Sequence, residues 1–133
     1  MKKIYFLLCA LLCTMAASAA DYYLVGSFNG WNTSDANYKF TDNNDGTYTL
    51  ELSGTFSAEF KICNGRWDDA NTFGGFQNND NSLKLGETFT CNVGGSLPNL
   101  TIAGGSALNP KFVFNPSTKE LTVTGEEAQS VIT

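Results

Sequence analysis

Turn-forming residues divide this chain into short segments. After residue 20, Gly, Asn and Asp recur between runs in which apolar and polar side chains alternate. No run keeps the apolar period of about 3.6 residues that marks an amphipathic helix. Alternation with a period of two is typical of strands that bury one face. The sequence therefore predicts an all-β domain.

The turns and strands predict two packed antiparallel sheets. Asn44-Asp45-Gly46 predicts a tight hairpin, because Asp-Gly tolerates the positive φ angles of a type I′ turn. Residues 115–118 predict a second turn, and residues 97–110 fit either a further strand or a loop. The predicted strands are 22–27, 38–41, 47–52, 57–63, 82–85, 88–93, 100–102, 111–115 and 120–124. The positions predicted to face the core are Leu24, Phe28, Phe40, Tyr48, Leu50, Leu52, Phe60, Ile62, Phe89, Phe112, Phe114, Leu121 and Val123.

The first twenty residues predict a secretion signal. Two lysines precede an apolar stretch at 4–15, and small residues follow. The stretch is shorter than the roughly 20 residues that a membrane-spanning helix needs. We expect residues 1–20 to be removed near Asp21, residues 21–125 to form one β-sandwich domain, and residues 126–133 to form a C-terminal tail. The mature protein is expected to be secreted (periplasmic, cell-surface or extracellular), without membrane insertion.

The four cysteines raise two separate questions. Cys9 and Cys13 lie in the signal, but a lipidated cysteine normally follows a small residue and Leu12 precedes Cys13. A signal without a lipid anchor is therefore favoured. Cys63 and Cys91 remain after cleavage. In an exported chain they predict either a disulfide or two small buried core residues, and the sequence leaves both alternatives open.

The charge balance and the absence of histidine exclude several functions. Removal of two lysines with the signal leaves six basic residues against thirteen acidic ones, a formal charge of −7. Such a surface repels nucleic acid and anionic membranes, but not a neutral polysaccharide. Without histidine there is no Ser-His-Asp triad and no usual zinc site. Glu59, Asp68 and Asp69 are the carboxylates a glycosidase could use, but loop aspartates more often form turns. No enzyme activity, metal or cofactor is predicted.

Both tryptophans follow a predicted strand and lie in turn-rich sequence. Trp31 ends the run YYLVGSFNGW, and Trp67 ends the run FKICNGRW. Buried indoles usually lie within regular elements, so indoles in turns indicate flat apolar surfaces for a ligand. Sugars fit such surfaces because the C–H faces of their rings pack against an indole. Two indoles set at an angle would favour a curved chain such as amylose, whereas coplanar indoles would favour a flat chain such as cellulose.

The motifs YLVGSFNGW, EFKICNGRW and SLKL, in this order, resemble the starch- and glycogen-binding early-set immunoglobulin-like modules. Surface starch-binding proteins of gut-bacterial starch-utilisation systems are the closer match, and the glycogen-binding domain of AMP-activated kinase β subunits is similar. The resemblance implies an antiparallel immunoglobulin-like (early-set) β-sandwich that binds α-glucan without catalysis. It implies that Trp31 and Trp67 stack on glucose, that Lys61 hydrogen-bonds hydroxyls, and that Asn81 or its neighbour Asn79 contacts the same glucose units. Other cell-surface glycan-uptake proteins are compatible partners.

Other interpretations of these residues stay open. Trp31 could plug one end of the sandwich, and Lys61 could be an ordinary solvated strand lysine. The Asn- and Gly-rich segment 64–81 is interpreted as one long loop, in which Phe73 and Phe76 are anchors rather than ligand platforms. The competing function is a secreted adhesin-like or protein-interaction module that uses the same aromatic patch.

Overall fold

The structure, a computed structural model, describes residues 20–127. Apart from Ala20, the predicted signal with its two cysteines lies outside the described residues, as do residues 128–133 of the predicted tail. The described part contains two short 3-10 helices, Ser27–Asn29 and Ala36–Tyr38. None of its helices is long and apolar enough to span a membrane. The strands are β1 Tyr23–Gly26, β2 Thr41–Asp42, β3 Tyr48–Glu51, β4 Thr55–Phe56, β5 Phe60–Cys63, β6 Phe73–Gly74, β7 Ser82–Leu83, β8 Thr88–Thr90, β9 Asn92–Val93, β10 Thr101–Ile102, β11 Ala107–Asn115 and β12 Glu120–Glu127.

Two antiparallel sheets form the sandwich. The smaller sheet has the strand order β1-β5-β6-β9. The larger sheet has the order β2-β3-β11-β12-β8, and β4 also pairs with β11. Among the described residues only β7 and β10 pair in parallel. The predicted all-β antiparallel sandwich is confirmed.

The core lies between the inner faces of the two sheets. Tyr48, Phe114 and Leu121 lie side by side on neighbouring strands of the larger sheet, and all three are buried. Phe114 meets Phe73 of the smaller sheet edge to face, with ring centroids 4.8 Å apart. Such aromatic pairs add to the free energy gained by burying apolar area. The alternating pattern of the sequence therefore identified the inner faces.

Ten of the thirteen residues predicted to face the core are buried. The other three, Phe28, Leu52 and Phe89, are half-buried and pack against the core from outside. Phe28 and Leu52 lie just beyond the ends of β1 and β3, and Phe89 lies on the edge strand β8. A side chain past a strand end or on an edge has a covering neighbour on one side only, which explains its partial exposure.

Two predicted strands differ from the observed ones. The strand predicted at 38–41 begins only at Thr41 and continues to Asp42, because Asp35 caps a 3-10 helix that ends at Tyr38. Its carboxylate accepts a hydrogen bond from the Asn37 amide at 3.0 Å. Predicted strand 88–93 is divided at Cys91, so that β8 joins the larger sheet and β9 the smaller.

The C-terminal hairpin of the larger sheet is longer than predicted. β11 begins at Ala107, so the end of the open segment 97–110 forms a strand. The pairing of β11 with β12 shifts between Leu108 and Lys111. β12 continues to Glu127, two residues beyond the predicted domain end at 125. β12 therefore includes the first two residues of the predicted tail 126–133.

The interpretation of segment 64–81 as one long loop was wrong at its centre. Phe73–Gly74 forms β6, which pairs with β5 and β9 in the middle of the smaller sheet. Phe73 is buried in the core. Gly74 allows a close approach of the chain on the outer face, because a Cβ there would lie 3.0 Å from the Pro98 carbonyl oxygen. A strand of two residues is too short for an alternation of apolar and polar side chains to be recognised in the sequence.

Candidate functional site

The loop after β1 carries Trp31. The Gly26 amide donates to the Asn29 side chain at 3.1 Å, and the Trp31 amide donates to the Gly26 carbonyl at 2.9 Å, which closes a tight turn. Gly30 and Trp31 both have left-handed backbone conformations, with φ of 65° and 61°. For a bulky residue such a conformation costs about 1 to 3 kcal/mol and persists only where its surroundings impose it. The turn therefore holds the indole in a fixed position at some cost in stability.

The turn after β5 carries Trp67. Among residues 20–127 it is the only large apolar side chain that is exposed, at 47%. The chain beyond it is tied down, because the Asp68 amide donates to the Thr72 hydroxyl at 3.0 Å and the Ala70 amide donates to the Asp68 carboxylate at 2.8 Å. The second bond is the main reason why the pKa of Asp68 is lowered. Trp67 thus lies bare on an ordered turn.

The two indoles lie together on one side of the molecule. Their ring centroids are 6.4 Å apart and their planes are inclined by 43°. Trp31 is half-buried and is not one of the residues that form the core, so it does not plug the sandwich.

Thr33 joins the two tryptophan-bearing segments. Its hydroxyl donates to the Gly65 carbonyl at 3.2 Å, in the turn just before Trp67. Its carbonyl accepts from the Cys63 thiol at 3.5 Å, at the end of β5. One residue of the Trp31 loop is therefore bonded both to the Trp67 turn and to the last residue of the strand before it.

Lys61 lies beneath Trp67 on the outer face of β5. Its strand neighbours Phe60 and Ile62 point into the core, as the alternation predicts. Nevertheless Lys61 is only 9% exposed, and its ammonium lies 5.7 Å from the centroid of the Trp67 ring, within cation–π range. Burial lowers the pKa of Lys61 below its ordinary value. The interpretation as an ordinary solvated strand lysine therefore does not fit.

The segment 94–99 forms the third wall of the site. The Gly95 amide donates to the Asp69 carboxylate at 3.0 Å, and the Asn99 side-chain amide donates to Glu59 at 2.8 Å. A Cβ at Gly95 would lie 2.5 Å from the bonded Asp69 oxygen, so glycine is needed for this contact. We call the resulting space the tryptophan cleft; it has a volume of about 390 Å³ and is lined by Trp31, Lys61, Trp67, Gly95 and Asn99.

Neither predicted asparagine lines the cleft. The Asn81 side chain closes a local turn, accepting from the Phe76 amide at 2.9 Å and donating to the carbonyls of Phe76 and Asn79 at 3.0 and 3.3 Å. Asn79 is exposed. Asn99 is the asparagine that the structure brings to the cleft. The sequence contained a signal for it, since Asn99 directly precedes the predicted strand 100–102.

Cys63 and Cys91 are buried free thiols. Cys91 belongs to the core, whereas Cys63 is buried on the outer face of β5 beneath the Trp31 loop, and the two form no disulfide. Burial raises the pKa of Cys63 and raises that of Cys91 to about 12. Asp68 and Asp69 are engaged in loop hydrogen bonds. No three acidic or cysteine residues within 20–127 are grouped so that they could hold a metal ion.

The structure is an antiparallel β-sandwich with a shallow, tryptophan-lined cleft beside its smaller sheet. Residues 16–104 match the family described as "SusF, first starch specific CBM", where CBM stands for carbohydrate-binding module. The match covers well over half of the chain, and the chain belongs to this family. The predicted resemblance to starch-binding modules is confirmed, and the family is one of non-catalytic binding modules.

A protein named alpha-amylase from Niallia circulans is 40% identical over 55 residues, which are 40% of this chain and 4% of the relative. The chain therefore spans only a small part of that relative's length. No solved structure matches the chain.

Proposed function

We propose that this chain binds α-glucan in the tryptophan cleft without chemically altering it. The observation that carries the proposal is the pair of indoles, with centroids 6.4 Å apart and planes inclined by 43°. Each indole offers an apolar face to the C–H face of one glucose unit. An inclined pair follows the curvature of an α-1,4-linked chain, whereas the flat chain of cellulose would contact both rings only if they were coplanar.

Lys61 and Asn99 supply the polar contacts in this proposal. The Lys61 ammonium makes no ion pair within residues 20–127, so its N–H donors remain available to sugar hydroxyls. Asn99 uses one amide N–H for Glu59, and its other N–H and its carbonyl oxygen remain available in that part of the chain. Asn99 would thereby take the role that the family resemblance implied for Asn81 or Asn79. The open cleft leaves much of a ligand in water, so the dissociation constant should be on the order of micromolar to millimolar.

We further propose that the module acts outside the cytoplasm. Residues 1–20 have the features of a secretion signal, and polysaccharides too large to enter a cell are met there. Contact with other glycan-uptake proteins at the cell surface is compatible with this location. Mass spectrometry of the protein recovered from the exported fraction tests the proposal, with an N-terminus near Asp21 as the expected result.

Affinity electrophoresis in native gels containing amylopectin tests glucan binding. We expect the wild-type protein to be retarded and Trp67→Ala to be retarded much less, because the exposed indole supplies most of the contact area in the cleft. Trp67→Phe is the matched control, since it keeps a smaller aromatic face and should keep part of the retardation. Gels with hydroxyethyl cellulose test the preference for a curved chain.

Two outcomes would contradict the proposal. Equal retardation of Trp67→Ala and wild type would remove the tryptophan cleft from glucan binding. The absence of retardation on every α-glucan, with the fold intact by circular dichroism, would favour the competing role of the aromatic patch as a protein-binding surface.

A further inference from the structure

A second groove, separate from the tryptophan cleft, lies between the 3-10 helix Ala36–Tyr38 and the turn that joins β3 to β4. Its volume is about 340 Å³, within the range of small-ligand sites. It shares no lining residue with the tryptophan cleft, and no charged residue lines it. We propose that this groove, hereafter the Tyr38 groove, is a second contact site for α-glucan. The choice of α-glucan as its ligand rests on the proposed function.

The ring of Tyr38 is the outer end of a series of aromatic contacts that reaches the core. Tyr38 contacts Phe28 at a centroid distance of 4.6 Å, and Phe28 contacts Phe56 at 5.3 Å. Phe56 in turn meets the fully buried rings of Phe60 and Phe112 at 5.6 and 5.4 Å. Tyr38 itself is half-exposed. A ring supported in this way loses little conformational entropy when a sugar packs on it.

The other wall of the groove offers polar groups without charge. The side chains of Asn37, Ser53 and Thr55 are exposed and make no hydrogen bond within residues 20–127. Together with the Tyr38 hydroxyl they present hydroxyl and amide groups beside an aromatic face. An uncharged ligand rich in hydroxyls matches this lining, whereas a phosphate or a peptide carboxylate would find no cation there.

The turn that carries Ser53 is held in place before any ligand arrives. The Gly54 amide donates to the Asn109 side chain at 2.7 Å, and the Asn109 amide donates to the Gly54 carbonyl at 2.8 Å. The Leu52 amide adds a bond to the Pro110 carbonyl at 3.0 Å. These bonds fasten the turn to β11, so both walls of the groove are ordered. Two ordered sites on one module would let it hold two glucan segments, and polysaccharide would then be bound more tightly than a short oligosaccharide.

An NMR titration of the ¹⁵N-labelled protein with maltoheptaose tests the proposal. In the wild type we expect shifts of two sets of backbone amides, one around Trp31 and Trp67 and one at Asn37, Ser53 and Thr55. In Trp67→Ala the first set should stop moving while the second continues to shift. In Tyr38→Ala the pattern should be reversed.

Further variants allow for the possibility that Tyr38→Ala fails to fold, since Tyr38 packs on Phe28. Tyr38→Phe keeps the packing and removes only the hydroxyl, and the double variant Ser53→Ala/Thr55→Val changes exposed residues alone. We expect the double variant to weaken binding at the groove by about tenfold or more, as expected from the loss of two hydrogen-bonding groups. Its thermal midpoint should remain that of the wild type.

The results separate the two proposals. A first outcome at saturating maltoheptaose is that the amide resonances around the tryptophans shift while those of Asn37, Ser53 and Thr55 stay fixed. That result would overturn the proposal that the Tyr38 groove binds glucan and would leave the proposed function standing. If only the second set of resonances shifts, the assignment of glucan binding to the tryptophan cleft is overturned instead. Shifts of the second set that are unchanged in both Tyr38→Ala and Ser53→Ala/Thr55→Val would also overturn the groove.

Discussion

Lys61 shows how one residue can be placed by the strand pattern and given its properties by its neighbours. The alternation of β5 directs it outward, but the indole of Trp67 and the close approach at Gly74 leave it 9% exposed. Burial of an ammonium costs free energy, and no carboxylate within residues 20–127 offsets that cost by an ion pair with Lys61. We therefore expect Lys61 to contribute to binding rather than to folding.

The first prediction concerns Lys61→Met, which keeps the length of the side chain and removes the charge. The affinity for maltoheptaose should fall about 10- to 100-fold, the usual effect of losing a hydrogen bond from a charged donor. The thermal midpoint should stay level or rise, because a buried charge is removed. Calorimetric titration and thermal unfolding measure the two effects. An unchanged affinity would contradict the assignment.

The second prediction separates the asparagines. Asn99→Ala should weaken glucan binding while the fold remains stable, since Asn99 lines the cleft and its side chain has one partner within residues 20–127, Glu59. Asn81→Ala should instead lower the free energy of unfolding by about 1 to 3 kcal/mol, because it leaves the Phe76 amide without its partner. Denaturant unfolding and calorimetry on both variants measure the difference. The reverse pattern would restore the sequence-based assignment of Asn81.

At the scale of elements, the site depends on loops that the smaller sheet brings together. β5 supports Lys61 and leads to Trp67, β1 leads to Trp31, and the bridge between Phe60 and Leu100 brings Asn99 beside them. The Thr33 bonds to Gly65 and Cys63 then link the first two loops. The inclination of the indoles is therefore a property of the loop contacts as well as of the strands.

The third prediction tests this linkage with Thr33→Val, which has the same shape but lacks the hydroxyl. Loss of the bond to Gly65 should destabilise the protein by only about 1 kcal/mol. The affinity for curved glucan should nevertheless fall, because the indoles are no longer held at one angle. Near-ultraviolet circular dichroism, which detects coupling between neighbouring indoles, should change in parallel.

Ser34→Ala is the matched control for Thr33→Val. Ser34 is exposed in the same loop, and its hydroxyl makes no hydrogen bond within residues 20–127. The Ser34→Ala variant should have the glucan affinity and the near-ultraviolet circular dichroism spectrum of the wild type. If Thr33→Val also retained both properties, the linkage would have no part in shaping the cleft.

The sequence predicted those features of the structure that depend on local patterns. It did not predict the features that depend on contacts between distant strands. The alternation identified the inner faces, and turn chemistry marked both tryptophans as lying outside strands. β6 was missed because it forms only by pairing with β5 and β9. Asn99 precedes a predicted strand, but its place beside the cleft depends on the bridge between Leu100 and the distant Phe60. The sequence around Cys63 and Cys91 fits a disulfide and two free thiols equally well. Only the positions of the two residues in the fold distinguish these alternatives.

At the scale of the whole molecule, several buried groups release a proton only at high pH. Burial raises the pKa of Cys91 to about 12 and also raises the pKa of Cys63, Tyr22 and Tyr48. In the unfolded chain these groups titrate at their lower ordinary values. The unfolded state then loses protons first as the pH rises.

The fourth prediction follows from this linkage. Because the folded-state pKa of Cys91 lies above the unfolded one, its contribution to stability is complete below about pH 9 and is lost as the pH rises towards 12. The urea midpoint should be level from about pH 7 to 9 and should fall above pH 9. In Cys91→Ala the fall should be shallower, although the variant starts from a lower stability because a cavity is created. Equal slopes for both proteins would contradict the assignment to Cys91.

The free state of the two buried thiols has a practical consequence. A sandwich in which Cys63 and Cys91 stay unbonded needs no oxidant to join them, and no oxidoreductase has to select that pairing. The domain should therefore acquire the same shape in a reducing bacterial cytosol as in an oxidising compartment, and dithiothreitol should leave its melting curve unchanged. That property would make the module convenient as a fusion tag for retrieving enzymes on starch beads.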